Sequence, residues 1–125
     1  KLLTAFKNVC TSLKKGGVFL FDISSPRKFE SKIANTVSVD DREEITYLSF
    51  NKMENDVVTM DVTLFAKEDG GAYRRYDETH TQYVYAEDEV IVALQAAGFQ
   101  VRSVEGHLGE DKNTTDRICF IAEKE

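Results

Sequence analysis

Apolar residues near the start of the chain recur at Leu2, Leu3, Phe6, Val9, Cys10 and Leu13, with Lys7, Asn8, Ser12 and Lys14 outside the stripe. That three-and-four spacing predicts an amphipathic helix over residues 2–13 with one buried face. Lys14 and Lys15 then suit the negative end of the helix dipole, and Gly16-Gly17 supply the stop. The next run, Val18-Phe19-Leu20-Phe21, has no alternation. A strand of this kind is expected to be covered on both faces, as a central, parallel strand of an α/β sheet is. It ends at Asp22, and Ser24-Ser25-Pro26 marks a turn and cap leading into a short helix over 28–34.

Between residues 43 and 85 the period changes to two. Ile45, Tyr47 and Ser49 alternate with Thr46, Leu48 and Phe50, and Glu54-Asn55-Asp56 makes a polar turn. Val58, Met60, Val62 and Leu64 form the greasier side of a second strand, Asp69-Gly70-Gly71 a second turn, and residues 72–85 a long third strand. Three strands joined in this way predict an antiparallel meander. Glu87-Asp88-Glu89 then place acids in the first turn of a helix built on Val90, Ile91, Leu94 and Ala97 and ended by Gly98. Residues 99–104 and 117–122 read as two further strands, with an exposed loop between them over 105–116.

Composition narrows the function classes. The chain has 125 residues, a net charge of −6, 42% hydrophobic residues and 30% charged ones, which is the make-up of one globular domain or less. No stretch is long and apolar enough for a membrane span, and no Lys/Arg stripe suits a phosphate backbone, so neither membrane nor nucleic acid is an expected partner. Cys10 and Cys119 each lie in an apolar run, too few for a disulfide framework, which suggests a reducing, cytoplasmic setting. His107 has no second His or Cys at ligand spacing, so no metal site is expected.

Two passages resemble a known family. Ser12-Leu13-Lys14-Lys15-Gly16-Gly17 followed by Val18-Phe19-Leu20-Phe21-Asp22-Ile23 resembles the region around the fifth strand of class I S-adenosylmethionine-dependent methyltransferases. Residues 89–101, ending Leu94-Gln95-Ala96-Ala97-Gly98-Phe99-Gln100-Val101, resemble the passage from helix to sixth strand in the same enzymes. Lys15 stands where the family commonly has Pro. The resemblance implies an α/β fold, the C-terminal half of a Rossmann-like domain made by 1–35 and 86–125, with 36–85 an inserted three-stranded antiparallel meander on the substrate side. It implies S-adenosylmethionine as cofactor, its glycine-rich turn upstream of Lys1, and hence a fragment inactive by itself. Stripped of a parallel neighbour, the edge of the strand over 18–21 is expected to make such a fragment self-associate.

Methyl transfer from an activated sulfonium asks mainly for alignment and, for some acceptors, a base. Arg74, Tyr76, Glu78, His80 and Gln82 share one face of the third strand of the meander, and this row is the candidate lining for a small-molecule acceptor. His80 with Glu78 is the candidate base and its orienter. Asp22, at the carboxyl end of the buried strand, is a further candidate for contact with the acceptor. The competing reading is a non-catalytic α+β ligand-binding module, with the meander as its binding device.

Overall fold

The computed structural model describes residues 1–125, which divide into two compact units, Lys1–Lys28 with Tyr85–Glu125, and Phe29–Val84. The first unit holds α1 (Leu2–Ser12), β1 (Val18–Ser24), a single helical turn α2 (Pro26–Lys28), α3 (Glu87–Ala97), β6 (Phe99–Gly106) and β7 (Arg117–Lys124). Its sheet has the order β1-β7-β6, antiparallel throughout, with Phe21 opposite Phe120 and Val104 opposite Phe120 on the other side. The antiparallel last strand therefore lies between the other two.

Phe6 and Cys10 of α1, Val90 and Leu94 of α3, and Phe99, Ile118, Phe120 and Ala122 of the sheet form one buried cluster. The phenylalanines touch in series: Phe6 meets Phe19 edge-on at 5.9 Å, and Phe21 stacks on Phe120 at 5.2 Å with planes 10° apart. Offset and edge-to-face pairs of this kind add about 0.5–1.5 kcal/mol beyond burial. Both helices pack on one face of the sheet only. Val18 and Leu20 are consequently 61% and 65% exposed, although the unalternating run predicts cover on both faces. Within this chain β1 is an edge strand paired antiparallel to β7 and to nothing else, not a central parallel one.

Helix ends differ in detail from expectation. α1 stops at Ser12, so Lys14 and Lys15 fall outside its last turn; Lys124 of β7 instead donates from Nζ to the carbonyls of Cys10 and Leu13, each at 2.7 Å. A cation thus reaches the negative end of the helix from across the fold. At the end of α3, Gly98 takes a left-handed conformation (φ 104°) and its N–H bonds back to the helix, while a Cβ there would lie 3.2 Å from Cys10 Sγ.

The second unit is a four-stranded antiparallel sheet in the order β2-β3-β4-β5: β2 (Val37–Asp41), β3 (Ile45–Glu54), β4 (Val57–Lys67) and β5 (Tyr73–Tyr83). The three expected strands are present, and β2 adds a fourth by pairing with β3, Val39 opposite Leu48. The short helix expected over 28–34 is α2 followed by a π-helical turn, Phe29–Ile33. Its first turn is capped as expected, with Lys28 N–H donating to Ser25 Oγ at 3.1 Å. Phe29, Val58 and Val84 form this unit's buried core, flanked by Ile33, Met53 and Met60. No helix of the structure is long and apolar enough to cross a membrane.

Candidate functional site

Period-two geometry places alternate side chains of β5 on opposite faces, and the register with β4 decides what each face adjoins. Arg74, Tyr76, Glu78, His80 and Gln82 stand opposite Ala66, Leu64, Val62, Met60 and Val58. The polar row therefore shares its face with the greasier side of β4, whose Val58 and Val62 are buried. Sequence pattern left undecided which face of β5 is which; the register decides it. β5 is an edge strand exposed along its whole length, so the row is open to solvent.

His80 Nε2 lies 2.9 Å from Glu78 Oε2. A carboxylate only accepts hydrogen bonds, so Nε2 carries a proton in this arrangement, and in the neutral ring Nδ1 is the acceptor. Arg74 pairs with Glu68, Nε to Oε1 at 2.5 Å, rather than with a member of the row. Further along the same face, Asn51 stands opposite Met60. It accepts from Ser49 Oγ at 2.6 Å and donates from Nδ2 to Thr36 Oγ1 at 3.2 Å. Sequence reasoning did not single out this polar chain, because Ser49 and Asn51 are ordinary alternating residues until β2 and the preceding turn bring Thr36 to them.

The opposite face of β5 is a closed surface network. Arg75 Nε donates to Asp77 at 3.0 and 3.1 Å and lies over the Phe65 ring at 5.8 Å, while Thr63 Oγ1 donates to Asp77 at 2.8 Å. The Thr63 hydroxyl first, and then Arg75, hold the Asp77 carboxyl below its ordinary pKa. Thr79 is likewise tied to Asp61 at 2.9 Å. These groups satisfy one another, whereas the Glu78–His80 pair adjoins apolar surface and keeps a free ring nitrogen.

Asp22 belongs to the first unit. Its Oδ1 accepts from Arg117 Nη2 at 2.5 Å and from Nε at 3.1 Å, and Arg117 Nη1 also reaches Ser24 Oγ at 3.2 Å. The hydrogen bond from Arg117 is the main cause of a pKa lowered from the usual carboxylate value, partly countered by desolvation and helped by the charges of Arg117 and His107. Asp22 stands opposite Cys119 in the β1–β7 register, and the donor atoms of Asp22, His107 and Cys119 all lie within 4.8 Å of one another. His107, which has no second His or Cys at ligand spacing in the sequence, thus has Cys119 and Asp22 beside it in space.

The turn that presents His107 is built by Thr115, which is almost fully buried. Its Oγ1 donates toward Arg117 O at 2.8 Å and Glu110 Oε2 at 3.0 Å, and receives the N–H groups of His107 and Arg117, each at 3.3 Å. Its carbonyl accepts from Ser25 Oγ at 2.7 Å, tying the end of β1 to the same turn. Gly106 precedes His107 because a Cβ there would lie 2.0 Å from Glu110 O. That glycine is the one sequence signal by which this turn could have been suspected.

No protein-family model matches the chain. Among curated proteins it is 31% identical over 127 residues to YqeM of Bacillus subtilis (strain 168), named a candidate methyltransferase, covering 98% of this chain and 51% of the relative. It is 29% identical over 123 residues to a Geobacillus sp. (strain WCH70) protein of the same description, with 95% and 50% covered. Among solved structures, an S-adenosylmethionine-dependent methyltransferase from Clostridium acetobutylicum superposes with a TM-score of 0.87 at 28% identity, covering 98% of this chain and 50% of that one. CalS10, an amino pentose methyltransferase from Micromonospora echinaspora solved with S-adenosylmethionine, shares the fold at 24% identity and a TM-score of 0.72, with 98% and 50% covered. The chain spans about half the length of the curated relatives it matches. The resemblance to S-adenosylmethionine-dependent methyltransferases, first read from two short passages, extends over nearly the whole chain.

Proposed function

From this likeness to half of an S-adenosylmethionine-dependent methyltransferase, we propose that the chain is the carboxyl-terminal part of such an enzyme and acts on a small-molecule acceptor. The observation that carries the reading is the agreement with the Clostridium enzyme over 98% of this chain. The sheet order β1-β7-β6, with an antiparallel last strand between its neighbours, supports it. A stand-alone ligand-binding module is not favoured, since the relatives and the solved neighbours are described as methyltransferases. Two free cysteines fit the cytoplasmic setting expected from composition.

The residues of this chain do not by themselves form a cradle for the donor. None of the positive-φ glycines, Gly16, Gly70, Gly71, Gly98 and Gly109, leads from a strand into a helix. The strand-to-helix turn after β1 runs through Ser25, whose hydroxyl and amide are already bonded to Thr115 and Asp116. What this chain supplies in our reading is the acceptor side. Arg74, Tyr76 and Gln82 bind and orient the acceptor beside the apolar strip of β4, and His80 Nδ1 takes a proton from it while Glu78 holds Nε2–H. CalS10 is an amino pentose methyltransferase, which favours an amine or hydroxyl on a small polar molecule as the methylated group here.

In the full-length enzyme, His80→Ala is expected to lower turnover by at least tenfold, within the ~10²–10⁴-fold range of a lost general base. Substitution on an exposed strand alters stability by no more than about 0.5 kcal/mol, so melting temperature and donor affinity should be nearly unchanged. Unaltered turnover, or turnover that falls only with folding, refutes the role of His80. A thermal-shift series tests the larger claim: S-adenosylmethionine at a hundred times its dissociation constant should stabilise the full-length enzyme by about 2.7 kcal/mol and this chain alone not at all.

A further inference from the structure

We propose that Asp22, His107 and Cys119 form a binding site for one divalent cation of the zinc type. The three come from separate elements, β1, the turn after β6, and β7, yet their donor atoms lie within 4.8 Å of one another. Register explains the convergence. Asp22 and Cys119 are directly opposite, and Glu105 stands opposite Cys119 on β6, two residues before His107. One row across the carboxyl end of β1 thus carries an oxygen, a sulfur and a second carboxylate, with an imidazole at its end.

The donor set selects the metal. Calcium and magnesium take oxygen ligands, whereas an imidazole, a thiolate and a carboxylate together suit zinc or its neighbours in the first transition row. Zinc bonds of about 2.0–2.3 Å in a tetrahedron separate donor atoms by roughly 3.3–3.6 Å. The donors therefore need to close by at most about 1.2–1.5 Å, within the reach of side-chain rotation at a surface site. Asp22 and His107 are exposed and Cys119 is partly so, which leaves an entry path.

The surroundings resemble a supporting shell. Arg117 bonds to Oδ1 of Asp22 and takes no hydrogen bond to Oδ2, fixing the carboxylate as outer-shell groups do around ligating carboxylates. Its positive charge does not outweigh the donors, since Asp22 and a Cys119 thiolate contribute two negative charges against one. Thr115 and Gly106 hold the His107 turn in place. Three protein ligands leave a fourth position for water.

The test is a titration of the chelator-stripped, untagged chain with Co²⁺ alone. One equivalent should bind with a near-ultraviolet thiolate-to-cobalt band and the intense visible bands of a tetrahedral ion, and Zn²⁺ should displace it one for one. Cys119→Ser should abolish the near-ultraviolet band. His107→Ala and Asp22→Asn should each weaken binding at least ~tenfold, by analogy with outer-shell losses of 10–100-fold. Circular dichroism of each variant confirms its fold, and the titration of the parent chain stands without them. Absence of cobalt uptake overturns the proposal. So does a band that survives in Cys119→Ser, which would place the metal on Cys10, or an affinity indifferent to His107→Ala. The readout involves neither donor nor acceptor, so its failure leaves the methyltransferase reading where it stands.

Discussion

Replacing Thr115 by Val keeps the shape of the side chain and removes one hydroxyl. That hydroxyl is saturated: it has one proton to give, to Arg117 O or Glu110 Oε2, and it accepts the amides of His107 and Arg117. Because Thr115 is 1% exposed, water cannot replace it without opening the turn. Each orphaned N–H costs about 1–3 kcal/mol when buried, and at 3.3 Å both bonds are at the long end of the range, so the lower half applies. The expected sum over the two amides is about 2–4 kcal/mol. Thr115→Ser keeps the hydroxyl and deletes one methyl, worth about 0.8 kcal/mol. In urea denaturation followed by circular dichroism, with a slope of about 2 kcal/mol/M, the Val variant should shift the midpoint down by about 1–2 M and the Ser variant by much less. Hydrogen exchange at the amides of His107 and Arg117 should accelerate in the Val variant alone. If Val lies within about 0.5 kcal/mol of the parent while Ser is the worse of the two, methyl packing rather than hydrogen bonding holds the turn, and the reasoning is refuted.

Asp22 has its folded pKa lowered from 3.8, chiefly by the hydrogen bond from Arg117, so its contribution is present above that value and is lost as pH falls through the lowered one. Arg117→Gln should flatten the acid side of the stability curve below about pH 4, whereas identical slopes for the two proteins would show that the pair is not coupled to folding. The free edge of β1, with Val18 and Leu20 exposed beside it, should make the isolated chain self-associate, and Leu20→Lys should return it to monomer in sedimentation. A parent chain that stays monomeric at high concentration, or an assembly indifferent to Leu20→Lys, would remove this edge from consideration.

The edge strand β5 illustrates how an exposed ladder is kept from pairing indiscriminately. Arg74, Arg75, Asp77, Glu78 and His80 sit in its middle, and charged side chains along a free edge disfavour addition of a further strand. The same residues are the proposed acceptor-binding row and its back face.

Local sequence determined the elements whose signals are carried by near neighbours. The stripe from Leu2 to Leu13 and the acids ahead of Val90 are helix patterns that tertiary packing only had to accept, and β3, β4 and β5 follow from alternation between turn residues. Gly98 could be read as a stop because a left-handed φ is a property of the residue itself. Other features had no local signal. Val37–Asp41 is exposed throughout, and is a strand only because β3 offers it a ladder. The end of α1 is served by Lys124, more than a hundred residues away, in preference to the lysines beside it. Which face of β5 adjoins apolar surface depended on its register against Val58 and Val62, and a slip of one residue would have exchanged the two rows. Asp22, His107 and Cys119 have no meaning as a spacing. They meet because β7 inserts between β1 and β6, and side chains directly opposite on neighbouring strands share a face whatever length of chain separates them.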